Sequence, residues 1–464
     1  MKQIEKDKST SAYDEYLRSA GESTESDIEY FSSSHKKQPS AERDAKPAPR
    51  RAAARSAKPE TKKKAPPPTA EQQKRREKRA EMKTKKQKEK DRLYLMISAL
   101  LVTVLVFCFS LFTLATGDKQ YSENENRYLA TRPKLSASSL SDGSYMKDME
   151  RYLSDQFFGR SALVKARTKI DIFFGKTEVN QVYIGKNHYL FEKPEAYDVQ
   201  KLAPTIESIN AFTLKHKKIA SYFALAPDAS EVLSEYMPKN APTQNQSEQI
   251  KTVYNSLDKK IKTVDICSTL LNTDNSKQLY YRSDHHWTTP AAEIAFKQIA
   301  ANMKLDTGKI NYKTYGVTNS FQGTLASSSG LFNAKDTIYV TVPETELKYV
   351  VSYTAENRKS ASMFESAKLK EKNKYDVFFG GNFSEIHIDT TLNSKKVLLV
   401  VKDSYANCLV PMLMPYYKSI IMVDPRYFTG DMEKILKENA VTDVLWLYNV
   451  NTFLTDTSIK NVIK

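Results

Sequence analysis

The sequence predicts an α/β chain: a mostly parallel sheet flanked by helices, with a β-rich insertion, preceded by a disordered tail and one transmembrane helix. Three observations predict it. Short, near-continuous Val/Ile/Leu runs alternate with helical patterns through residues 117–464, as expected of strands covered on both faces. One block of 24 residues holds no charge, Pro or Gly. The residues before that block hold few large apolar side chains.

Residues 1–92 carry a Ser/Gly/Glu-rich stretch, an Ala/Pro/Arg/Lys stretch, the run Pro66-Pro67-Pro68 and then dense charge. Such a composition buries too little apolar surface to offset the entropy of ordering, so 1–92 is read as a disordered basic tail. Its last part, Glu71 to Arg92, fits a solvated helix equally well. From Leu93 to Thr116 the chain reads "LYLMISALLVTVLVFCFSLFTLAT". At about 1.5 Å per residue this is long enough to cross a hydrocarbon core of about 30 Å, so 93–116 is assigned as the transmembrane helix. Residues 74–92 hold 11 Lys/Arg, against four in 117–134. That bias keeps the N-terminus cytoplasmic and places 117–464 outside the cell. The tail carries +10 of the +16 net charge, so the basicity belongs beside a membrane and not to a nucleic-acid surface.

Within 117–464, apolar residues at spacings of three and four predict a helix from Tyr145 to Phe174. Strand-like runs follow at 219–230, 261–268, 396–406, 419–428 and 441–450. Between Asp306 and Thr391 the pattern becomes β-branched and Tyr-rich, which predicts an antiparallel insertion. Cys108 lies in the span, and Cys267 and Cys408 sit in apolar stretches, so buried thiols are expected and not a disulfide framework.

Two strand ends are chemically loaded. In "VLLVVKDSYANCLVPMLM" a strand breaks at Lys402-Asp403-Ser404, where a serine hydroxyl is exposed beside helix-start N–H groups, unless Asp403 or Ser404 serves only as a cap. In "RSDHHWTTP" Asp284 stands two residues before His286, close enough to fix its tautomer; a buried His–Asp pair of purely structural use has the same spacing. His285 is expected to face away from His286, as neighbours on an extended segment do. A metal site is the rival for Asp-His-His, but the chain has no Asp-x-Asp and no zinc-spaced Cys/His cluster, so no metal or cofactor is assigned. Asn382 in "FFGGNF" is a candidate oxyanion or sugar-hydroxyl donor or a turn residue. Arg426 in "VDPRYF" is a candidate substrate contact or ion-pair partner, and Thr324 in "FQGTLASSSG" a candidate lining residue. The 27 Tyr and 20 Phe exceed what a core needs and leave material for a sugar-binding surface.

The combination "SDHHWTTPAAEIAF" and, 118 residues later, "LLVVKDSYANCLVPML" resembles the DHHW protein family. That family is related to alginate O-acetyltransferase proteins of the AlgX/AlgJ type and, through them, to SGNH hydrolases. The resemblance extends to "SENENRYLATRP" (122–133), "YLSDQFFGRSALV" (152–164), "VYIGKNHYLFE" (182–192), "YDVFFGGNFSEI" (375–386) and "IIMVDPRYF" (420–428). It implies an SGNH-like domain at 117–464 with Ser404 as nucleophile, His286 as general base and Asp284 orienting it. It further implies O-acyl, chiefly O-acetyl, transfer or hydrolysis on an extracellular polysaccharide, with a membrane-bound O-acyltransferase partner supplying the acyl group. The alternative is a non-catalytic SGNH-like envelope scaffold or glycan-binding protein. The serine element departs from the usual Gly-Asp-Ser by placing Lys402 where the glycine stands.

Overall fold

The computed structural model describes residues 69–122, 127–194, 198–274 and 276–463. The tail expected to be disordered therefore lies, up to residue 68, outside the described residues. The chain divides into two compact units.

The unit built on 69–119 and 130–160 is dominated by one helix, α1 (Ala70–Ala115). The basic segment 71–92 is continuous with the apolar one, because it holds helix formers and neither Pro nor Gly. Within Gln73–Thr113 this helix is long and apolar enough to cross a membrane. The helix expected from Tyr145 to Phe174 is instead two helices, Ser144–Gln156 and Arg160–Phe173. The first helix ends where Phe157 turns extended, with ψ 128°, and Gly159, just before the second, adopts φ +73°, a left-handed conformation that glycine takes without strain. The residues before it, Phe157 and Phe158, stack on Phe109 and Phe112 of α1, with ring centroids 5.5 and 5.3 Å apart. The Phe158 N–H donates to Thr113 Oγ1 at 3.1 Å.

The second unit is centred on an eight-stranded sheet. Its strands are β1 (Ala220–Ala226), β2 (Ile261–Val264), β3 (Tyr349–Tyr353), β4 (Arg358–Ser360), β5 (Glu385–Thr390), β6 (Val397–Lys402), β7 (Ser419–Val423) and β8 (Asp443–Asn449). They lie in the order β4-β3-β5-β7-β6-β8-β1-β2. The run from β7 to β2 is parallel throughout. In β6, Leu398 and Val400 enter one core and Val397, Leu399 and Val401 the other. Coverage on both faces explains the unbroken apolar runs, and burial of each such side chain contributes about 1.5–3 kcal/mol.

The segment 306–391, between parallel strands β2 and β6, is β-rich and pairs antiparallel as its pattern predicts, but it is divided between two sheets. Only Tyr312–Phe321 and Asp336–Pro343 form a separate antiparallel hairpin. The remainder supplies β3, β4 and β5, which extend the central sheet itself in antiparallel sense. A β-branched, alternating segment reads the same whether it leaves a sheet or lengthens it. Cys267 and Cys408 are free and buried.

Candidate active site

The carboxyl ends of the parallel strands carry a row of buried polar groups: Asp403 after β6, Asp424 after β7, Asn449 ending β8 and Asp228 after β1. This edge is where ligands bind in open α/β sheets.

Asp403 closes β6 by capping the following turn: its Oδ1 accepts from the Tyr405 N–H at 2.9 Å and its Oδ2 from the Asn449 N–H at 2.8 Å. The cap expected for this residue is thus present, and it pins β6 to β8. Its consequence is to aim Ser404 out of the sheet edge. Lys402 is fully buried as the last residue of β6, and Asp403 is extended, with φ −110° and ψ −170°. No conformation reserved for glycine is therefore needed at Lys402. Its Nζ donates to Asn382 Oδ1 at 3.2 Å and lies 3.6 Å from Asp424 Oδ2. Burial pushes the Lys402 amine below its ordinary pKa, a shift that Asp424 opposes.

The Asp-His-His segment is a tight loop, closed by a bridge between Tyr280 and Trp287. Trp287 is fully buried, and its Nε1–H donates to the Tyr405 carbonyl at 2.9 Å, tying the loop to the serine turn. Helix Thr289–Asn302 starts immediately afterwards, with Thr288 at its N-cap and a proline in its first turn. Asp284, His286 and Ser404 meet in a single hydrogen-bonded chain. His286 Nδ1 lies 2.6 Å from Asp284 Oδ1, and His286 Nε2 lies 2.7 Å from Ser404 Oγ. A carboxylate only accepts, so Nδ1 carries the proton and Nε2 is left to receive one from the serine hydroxyl.

The expectation that His285 faces away is corrected: the two imidazoles face one another, centroids 4.0 Å apart. The segment bends at every residue from Arg282 to His286, so the alternation of an extended strand does not apply. Thr324, the candidate lining residue, holds Asp284: its N–H and hydroxyl both donate to Asp284 Oδ2, at 2.7 and 2.9 Å, while its oxygen accepts from His285 Nδ1 at 2.7 Å. Arg426 pairs bidentately with Asp424, at 2.6 and 2.8 Å, as the ion-pair reading has it. Asn382 follows a turn through Gly380 and Gly381, both at positive φ. Its Oδ1 accepts from Lys402 and, at 3.0 Å, from Asn407 Nδ2.

Three residues at the site carry no sequence signal of their own. Tyr375 stacks on the His286 ring at 3.9 Å and 16°. The buried Asp336 accepts from the Arg282 and Ser283 N–H groups and from Ser283 Oγ, at 3.1, 2.9 and 2.6 Å, bracing the loop from behind. Gly323 lies so close to Asp284 that a Cβ there would come within 2.1 Å of Oδ2. Each of these contacts joins segments far apart in the sequence, and only the folded chain reveals them.

Charge divides sharply here. Burial alone would raise the Asp284 pKa, but His285, His286 and the Thr324 donors hold it well below the carboxylate range. Burial also opposes charge on His285, yet the Asp284 carboxylate, followed by Glu192, outweighs it and the net shift is upward. His286 moves the other way, to about 4, because burial and the neighbouring His285 charge outweigh Asp284. His286 is consequently neutral, and able to accept a proton, through the whole physiological range. Activity that depends on this base should fall as pH drops through about 4, with no loss near the ordinary imidazole value of about 6.5. In a kcat/KM profile on an acyl ester, His285→Ala should move that acid limb upward by removing the adjacent charge. A wild-type limb centred near 6.5 would contradict this assignment.

Asp284, His285 and His286 also place three metal-ligating atoms within 4.8 Å of one another. The Asp284 oxygens and both His286 nitrogens are already engaged by Thr324, by each other and by Ser404. A metal there would have to break the chain that links the serine to the carboxylate.

Residues 182–383 match the family model described as the SGNH hydrolase-like domain of acetyltransferase AlgX. No curated protein matches the chain in sequence. Among solved structures, a DHHW family protein from Eubacterium siraeum is similar with TM-score 0.53 and 21% identity, over 61% of this chain and 96% of that one. Bacillus cereus PatB1 with a sulfonyl adduct is similar with TM-score 0.53 and 19% identity, over 61% of this chain and 98% of that one. The fold is therefore that of an SGNH-like α/β domain.

Proposed function

We propose that this protein is a membrane-anchored cell-envelope enzyme that moves an acyl group, chiefly acetyl, on or off hydroxyls of an extracellular polysaccharide. The observation that carries the proposal is the unbroken chain Asp284–His286–Ser404, with links of 2.6 and 2.7 Å, at the carboxyl edge of the sheet. A serine hydroxyl is a weak nucleophile until a neighbouring base takes its proton, and His286 Nε2 is held where it does so. In the first half-reaction Ser404 Oγ bonds to the acyl carbonyl carbon as its proton passes to His286. The developing oxyanion is met by the Ser404 main-chain N–H, since the Tyr405 N–H is taken by Asp403, and by the Nδ2–H₂ of Asn382. Collapse expels the donor's leaving group, which takes the proton from His286, and an acyl-serine remains. A sugar hydroxyl then gives its proton to His286, bonds to the acyl carbon and restores Ser404; water in its place gives hydrolysis.

The match to an acetyltransferase domain supports acetyl as the acyl group, and the apolar part of α1 with its basic N-terminal flank supports anchoring with the catalytic unit outside. An external enzyme of this kind requires its acyl group to be carried across the bilayer, which fits a membrane-bound O-acyltransferase partner. A membrane-impermeant sulfonyl fluoride applied to intact cells tests nucleophile and orientation together. It should sulfonylate Ser404, releasing fluoride, without lysis. Labelling only after lysis would reverse the orientation, and no labelling in either case would leave a non-catalytic scaffold as the better reading.

A further inference from the structure

Helix Arg160–Phe173 has two apolar faces, and its own domain uses only one. The inner face packs down: Thr168 Oγ1 donates to the Ser329 carbonyl at 2.9 Å, the Lys165 amine sits over the Phe332 ring, and Ile172 adds to the small core of Val182, Leu190 and Leu325. The outer face carries Leu163, Ile170, Phe173 and Phe174, exposed by 50, 56, 85 and 78%. Residues 163, 170 and 174 are seven and four apart, so they form one stripe along the helix. Arg167 lies on the same stripe, between Leu163 and Ile170, with Lys169 and Lys176 beside the two phenylalanines and Asp171 shared between Arg167 and Lys176.

A second observation says what covers the stripe. Two residues before this helix begins, Phe157 and Phe158 are stacked on Phe109 and Phe112, near the end of the apolar part of α1. Chain connectivity alone therefore starts Arg160–Phe173 at the level where α1 leaves the hydrocarbon. A stripe of Leu, Ile and Phe set among Arg and Lys is the composition of a helix lying in a headgroup layer. The basic residues match anionic lipid.

We propose that the outer face of Arg160–Phe173, together with Phe174, lies in the headgroup layer of the bilayer that takes up α1, so that the catalytic unit rests on the membrane surface. The proposal rests on α1 being the anchor, and it goes beyond that reading by fixing which face of the exported unit meets lipid. Resting there holds the unit beside whatever delivers acyl groups through the membrane.

The test uses the full chain in vesicles of phosphatidylethanolamine and phosphatidylglycerol, with no other protein present. The native Trp287 and Trp446 are fully buried, so a Phe174→Trp variant adds a single interfacial reporter. Its emission should be blue-shifted and quenched when the acyl chains are brominated near the headgroup, whereas a reporter introduced by Glu207→Trp, on another helix, should be unaffected. Replacing phosphatidylglycerol by a zwitterionic lipid should weaken the quenching. Vesicle-associated Phe174→Trp chain whose added emission ignores bromine would overturn the docking and leave anchoring intact. Chain that fails to float with the vesicles would overturn the anchoring itself. Protection of the same reporter in native membranes but not in these vesicles would assign the face to a protein partner, and so overturn lipid as the occupant.

Discussion

Ser404→Ala and His286→Ala are each expected to abolish acyl-ester turnover while leaving the fold intact, whereas His285→Ala retains most of it. The size of the effect follows from how such groups act. Without the hydroxyl there is no atom to acylate; without Nε2 the hydroxyl keeps its proton. In serine hydrolases the members act as a unit, and removal of either costs roughly 10⁶ in kcat. The double variant should therefore be no worse than either single one. His285 differs because its ring meets Thr324 and the edge of Asp284 but not Ser404. Turnover of an acetylated glycan, with thermal melts of each variant, checks this. Full activity in His286→Ala would end the case for it as base.

Gly323→Ala is expected to do nearly as much from outside the reacting atoms. At this glycine the constraint is space: φ is an ordinary −86°, but an added methyl would sit 2.1 Å from Asp284 Oδ2 and 2.3 Å from its Cβ. The carboxylate must swing away or the Thr324 helix must lift, and either breaks the contacts that hold Asp284 against His286. Overpacking of this kind costs about 1–3 kcal/mol of stability, and an imidazole without its orienting carboxylate loses about 10⁴ in turnover. A melt lowered modestly alongside a collapse of kcat is the expected pair of results. An unchanged kcat would mean that Asp284 does not position the base.

Much of the architecture was legible because it is written locally. The unbroken apolar runs of β6, β7 and β8 announce two covered faces, and the uncharged block at 93–116 announces a span-length helix. Asp284, His286 and Ser404 were legible by residue type and by the breaks that follow Val401 and Trp287, as was the cap at Asp403. What stayed hidden depends on distant segments. The placing of β3, β4 and β5 within the main sheet rests on β5 pairing with β7, which no local pattern reveals. The roles of Thr324, Gly323, Asp336 and Tyr375 likewise need the fold before they have meaning. His285 was misplaced because bend-rich segments do not follow strand alternation.

The serine turn and the loop that would activate it are 118 residues apart, and Asp403 holds its conformation partly by accepting a bond from Asn449, a further 46 residues along. Contacts of such separation form late in folding, after the entropy of closing long loops has been overcome. A chain stalled before β6 pairs with β8 thus lacks the Asn449 bond that holds the serine turn. On the proposed function, chemical competence arrives together with the completed sheet, which makes reactivity at Ser404 a readout of maturation.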